Sequence, residues 1–131
     1  MKRNGIGLME LTVAGAVLAV MMAVSMQLLG VIACERKAAS RRQTAVREAG
    51  NLMQRVSALP WEKLDRQALD ELSLSETAAA ELPHAELEAT IEDESSPSVE
   101  TKSKRIGISI RWRDSHGQPV APVRLTAWRY Q

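Results

Sequence analysis

From Leu11 to Cys34 the chain carries no charged residue, and Ser25 and Gln27 are the only strongly polar side chains in that stretch. About 20 helical residues, at 1.5 Å each, cross a hydrocarbon core about 30 Å thick, so the run is long enough to span a bilayer. Beyond Cys34 the apolar residues thin out but keep a helical period. Ala38, Ala45, Ala49, Leu52, Val56 and Leu59 recur every three, four or seven residues, with Met53 beside them and Arg36, Lys37, Arg41, Arg42, Arg47 and Arg55 between. No proline falls between Ile6 and Leu59. The pattern therefore predicts one helix from Ile6 to about Ala58, roughly 80 Å long. Gly50 weakens it by up to about 1 kcal/mol, and Pro60 biases Leu59 out of the α region and ends it.

After Pro60 the pattern shortens and then changes period. Trp61 to Leu82 reads as one or two short helices, with Leu64, Leu69 and Leu72 as apolar positions and Ser75 as an N-cap. Glu92-Asp93-Glu94-Ser95-Ser96-Pro97 reads as a polar loop. Ile106, Ile108, Ile110 and Trp112 alternate with Gly107, Ser109, Arg111 and Arg113, which predicts a strand with one apolar and one basic face. Asp114 to Pro119 supplies a turn, and Val123, Leu125 and Ala127 mark a second strand. Leu87, Ala89 and Ile91 mark a third. An antiparallel sheet with one apolar face must be covered, and the Leu52/Val56 stripe of the long helix is available to cover it. The fold class is α+β: a long N-terminal helix packed on a small C-terminal antiparallel sheet.

Composition narrows the functional classes. A chain of 131 residues is one small domain at most. A single cysteine excludes an intramolecular disulfide framework and any multi-cysteine metal centre. The net charge of +1 hides strong segregation. Residues 1–34 carry +1, 35–66 carry +4, 67–100 carry −10 and 101–131 carry +6. His84 and His116 lack partners at metal-ligand spacing, and no nucleophile–base pair or phosphate loop occurs. The expectation is a protein that is not an enzyme and needs no cofactor. Calcium in the acidic loop is a weaker alternative, because the alternating Asx ligands of a calcium loop are absent.

The N-terminus carries the sharpest signal. Glu10 is the only acid before position 35, and it sits where the apolar run begins. An intramembrane carboxylate costs about 2.5–3.5 kcal/mol at mid-span, and less near the interface, so its presence asks for a partner. Asn4-Gly5-Ile6-Gly7-Leu8-Met9-Glu10-Leu11, after the basic Met1-Lys2-Arg3, resembles the prepilin signature of type IV pilins and type II secretion pseudopilins. In that family a leader ends in Gly, a hydrophobic residue follows, and Glu stands fifth in the mature chain. A cut after Gly7 makes Glu10 third, whereas a cut after Gly5 makes Ile6 first and Glu10 fifth, so Gly5 is the expected site. The departures are Ile at mature position one, Gly at position two, and no proline in the apolar helix. The last points towards a minor subunit.

The resemblance implies a pilin-like layout: a leader at 1–5, a transmembrane half-helix at 6–34, an extramembrane half at 35–59 and a globular head at 60–131. The closing hairpin is similar to that of I-type minor pseudopilins. The resemblance further implies cleavage between Gly5 and Ile6, N-methylation of Ile6, and assembly through Glu10. The implied partners are a prepilin peptidase, other pilin or pseudopilin subunits, an inner-membrane assembly platform and membrane lipid. The implied location is the bacterial inner membrane, single-pass, with the head extracytoplasmic. Freed by the cut, the Ile6 amine has an ordinary pKa near 7.7–8.0 and lies one helical turn from Glu10. The carboxylate can pair with that amine or with a neighbour's. The Arg-rich flank at 36–47 argues by charge count for a cytoplasmic side. The processing motif requires the reverse and is the more specific signal.

Two rival readings follow from other residues. Val31-Ile32-Ala33-Cys34 resembles a bacterial lipobox, which would make the chain a membrane-anchored lipoprotein or binding module lipidated at Cys34. A basic sheet face with Trp112 and Trp128 would suit a DNA-contacting, competence-type pseudopilin, by phosphate pairing and base stacking. With net charge near zero, nucleic acid is not the expected partner.

Overall fold

The computed structural model describes residues 7–95 and 102–131 of the chain. It is α+β, with a long N-terminal apolar helix and a small three-stranded antiparallel sheet. The chain divides into two compact units, Met1–Lys37 and Ala38–Gln131.

Helix α1 runs Leu8–Ser57 as 50 residues. Its first turn is closed by the Gly7 carbonyl, which accepts from the amides of Glu10 (2.9 Å) and Leu11 (3.2 Å). Every residue from Gly7 to Ser40 is exposed, and burial starts in the second unit. There Ala45, Ala49, Leu52 and Val56 are fully covered. Ala38, which belongs to the same stripe by spacing, is exposed, because the head begins to contact the helix only near Ala45.

The connection to the sheet holds a 3-10 turn at Trp61–Lys63 followed by α2 (Arg66–Asp70) and α3 (Glu76–Glu81). Ser75 caps α3 as the sequence indicates, and Asp65 caps α2 in the same way. Asp65 accepts from the Ala68 amide (2.9 Å) and Ser75 from the Ala78 amide (3.3 Å). Each such cap contributes about 1 kcal/mol.

The sheet is a meander of β1 (Glu86–Ser95), β2 (Lys102–Arg111) and β3 (Val123–Tyr130) in that order. Ile108 lies opposite Ala89 on β1 and Leu125 on β3, which fixes the register across all three strands. Alternation puts Ile106, Ile108 and Ile110 on the covered face. Ile108, Ile110, Trp112 and Val123 pack with Ala45, Ala49, Leu52, Ala78 and Leu82. Ile106 packs with Val56, Leu64 and Leu69. The stripe on α1 is thus the lid of the sheet, and burying each of its larger side chains contributes about 1.5–3 kcal/mol.

The acidic run departs from expectation. Glu92 to Ser95 is strand rather than loop, because β2 brings cations across from it: Glu92 faces Arg105 and Asp93 faces Lys104. The alternating acids fall on both faces of β1. Ser96 and Pro97 lie outside the described residues.

The β2–β3 connection turns at Asp114, whose Oδ1 accepts from the amides of His116 and Gln118, both at 2.8 Å. Gly117 closes this turn at φ 76°, a conformation that glycine adopts without strain.

Candidate functional site: the apolar helix and its acidic residue

Gly5 and Ile6, the expected cleavage pair, lie outside the described residues. Glu10 is described: it stands exposed in the first turn of α1, next to the helix N-terminus. A carboxylate there is favoured by the partial positive charge of the unpaired amides. Along the span two hydroxyl side chains bond back to the helix. Thr12 Oγ1 donates to the Met9 carbonyl and Ser25 Oγ to the Met21 carbonyl, each at 2.8 Å. Such back-bonding hides hydroxyls from an apolar surrounding. Glu10 makes no side-chain hydrogen bond or ion pair among the described residues, and it is the one acid in the apolar part of the helix.

The helix is long and apolar enough to cross a membrane, by length and composition. Leu8, Met9, Leu11, Val13, Leu18, Met21, Met26, Leu28 and Leu29 are all more than half exposed. Soluble monomers rarely expose an apolar surface of this length, which is of the kind that a membrane or a protein partner covers. Cys34 lies exposed within the same helix.

Three charged residues that sequence reasoning did not single out, Glu48 on α1 and Lys104 and Arg129 on the sheet, tie the elements together. Glu48 is 8% exposed, and its carboxylate accepts from both the amide and the hydroxyl of Ser75. Lys104 Nζ donates to the Leu64 carbonyl (2.7 Å) and lies 4.9 Å from the centroid of the Trp61 ring. Arg129 donates to the carbonyls of Ser57 and, at 2.6 Å, Leu59, satisfying the C-terminal end of α1. A common signal identifies them. Each is a charged residue at a position whose phase belongs to the apolar face: Glu48 beside Ala45, Ala49 and Leu52, Lys104 in phase with Ile106, and Arg129 in phase with Ala127.

The outer face of the sheet corrects one expectation. The arginines of β2 do not form an uncompensated basic surface, because Arg105 pairs with Glu92 and Arg111 with Glu88 (2.7 Å for the latter). Trp112 is 3% exposed and belongs to the core, so it presents no ring for base stacking. Trp128 is exposed on β3. Between the paired arginines Gly107 leaves an open groove of about 320 Å³, and a Cβ there would stand 2.6 Å from Thr90 Oγ1.

Comparison with family models, curated proteins and solved structures finds no match to this chain.

Proposed function

We propose that the chain is a minor structural subunit of a type II secretion pseudopilus or type IV pilus, matured by a prepilin peptidase and assembled through its N-terminal helix. One observation carries the reading. A continuous helix holds an exposed apolar span with a single acid, Glu10, in its first turn. On this reading the cut between Gly5 and Ile6 creates the amine that meets Glu10, and Ile6 is the residue that is N-methylated. The protein is single-pass in the bacterial inner membrane with its head extracytoplasmic. Its partners are the peptidase, neighbouring subunits, the assembly platform and lipid, and its role is not enzymatic.

The mass of the mature N-terminus tests the proposal. Loss of residues 1–5, with or without a methyl group on Ile6, is the expected result. A mature chain beginning at a lipidated Cys34 overturns it.

A further inference from the structure

The edge of β3 that faces away from β2 is open: among the described residues β3 pairs with β2 alone. The other outer strand of the sheet, β1, is in contact with α2. An open edge presents unpaired N–H and C=O groups to which a further strand can add. β3 lacks two of the devices that blunt such an edge, proline and a bulge, and its inward-facing charge, Arg129, is held by the carbonyls of Ser57 and Leu59. Its eight residues contain no proline, and its register with β2 is unbroken from Val123 to Tyr130.

Its outer row is Arg124, Thr126, Trp128 and Tyr130. Trp128 is 52% and Tyr130 67% exposed. Arg105 and Arg111 have carboxylate partners, whereas Arg124 has none among the described residues. Arginine, tryptophan and tyrosine are the residue types that most often carry binding energy at protein contacts.

We propose that the open edge of β3 takes an extended segment of another polypeptide as a fourth, antiparallel strand, with a carboxylate facing Arg124 and apolar side chains facing Trp128 and Tyr130. Facing residues run in opposite order in an antiparallel pair, so the segment reads apolar–x–apolar–x–x–x–acid from its N-terminus. Copies of that pattern in this chain, among them Leu87–Asp93 at β1 and Ile108–Asp114 at β2, already belong to its own packed elements, which points to a donor other than a second copy of this chain. In a filament the donor is a neighbouring subunit. That attribution rests on the pilin-like reading, whereas the pairing itself does not.

The probe is the acetylated, amidated peptide Thr-Val-Thr-Leu-Thr-Thr-Thr-Glu-Thr, added to the full chain in detergent micelles, with a control peptide carrying Lys in place of Glu. Calorimetry measures affinity, and amide hydrogen exchange locates the added strand. The expected result is binding of the Glu peptide with slowed exchange along β3. Affinity should fall at least tenfold for the Lys peptide and in Trp128→Ala. Arg124→Glu should reverse the preference between the two peptides. These side chains are exposed, so neither variant threatens the fold. Absence of binding, binding that ignores Arg124→Glu, or unchanged exchange in β3 would overturn the proposal. Concentration-dependent protection of β3 without peptide would overturn the assigned occupant. A chain that keeps residues 1–5 in cells removes only the filament attribution and leaves the pairing result standing.

Discussion

Glu48 on α1 grips Ser75 with both carboxylate oxygens, one accepting from the Ser75 amide at 2.7 Å and the other from its hydroxyl at 3.0 Å. Ser75 in turn caps α3, so the acid on the long helix fixes where the short helix begins. Hydrogen bonds to a charged group contribute about 1.5–3 kcal/mol each, less what the pair costs to bury. Glu48→Ala is expected to lower the unfolding free energy of the head by about 2–3 kcal/mol. Glu48→Gln, which keeps one acceptor, should lose less. Thermal melts followed by near-ultraviolet circular dichroism would rank the three proteins, and equal midpoints would show that the grip is idle.

Processing should depend on Gly5 and not on Gly7. On the proposed register the peptidase needs a small residue before the cut, so Gly5→Leu should accumulate at full length. Gly7 lies beyond the scissile bond, and a Cβ there meets nothing within 4 Å. Gly7→Ala should therefore mature normally and still offer its carbonyl to Glu10 and Leu11. The opposite pattern, seen by mass spectrometry, would displace Glu10 from the fifth position.

Glu10→Leu should separate assembly from everything that precedes it. The substitution removes an insertion penalty, so membrane levels should equal or exceed those of the wild type, and the mature mass should be normal. On the proposed function, incorporation into the filament should fall, because Glu10→Leu would remove a weakly screened charge pair from a water-poor setting. Crosslinking to partner subunits measures the loss. Equal partner recovery from both proteins would reduce Glu10 to an interfacial side chain.

The turn between β2 and β3 should respond to acid. Asp114 is held below the ordinary aspartate range, chiefly by the Gln118 amide, with further help from the amide and ring of His116 and from Arg41. A carboxylate with a lowered folded value stabilises the fold above its unfolded value of about 3.9. That contribution is lost as pH falls through the lower folded value. Asp114→Ala should therefore be less stable than the wild type at neutral pH, and the gap should begin to close as pH falls past about 3.9 and vanish only below the lower folded value. Urea titrations across that range test the convergence.

Much of the architecture was legible because short-range rules agree with the packing. The stripe through Leu52 and Val56, the Ser75 cap and the alternation around Ile108 each follow from local spacing, and each lies where that spacing places it. What stayed hidden depends on partners distant in sequence. Glu92 to Glu94 read as loop because a run of acids has no reason to extend until Lys104 and Arg105 lie opposite. Trp112 was ambiguous between core and surface, and it is buried in the core cluster that also holds Leu52 and Val123. Arg129 reaches back to the end of α1 across 70 residues of chain, a contact no window can contain. Of the candidate site, Glu10 was legible from its isolation among apolar residues, whereas Gly5 and Ile6 lie outside the described residues.

The three tryptophans stand in three optically distinct environments. Trp112 is sealed in the core, Trp61 is half-covered beneath the Lys104 ammonium, and Trp128 is open to solvent on β3. A collisional quencher such as acrylamide should extinguish Trp128 first and spare Trp112 until the head unfolds. Emission after quenching then reports the integrity of the packed sheet, and the difference spectrum reports events at the edge strand. The chain thus contains two separable intrinsic probes, one for folding and one for docking, and neither requires an added label.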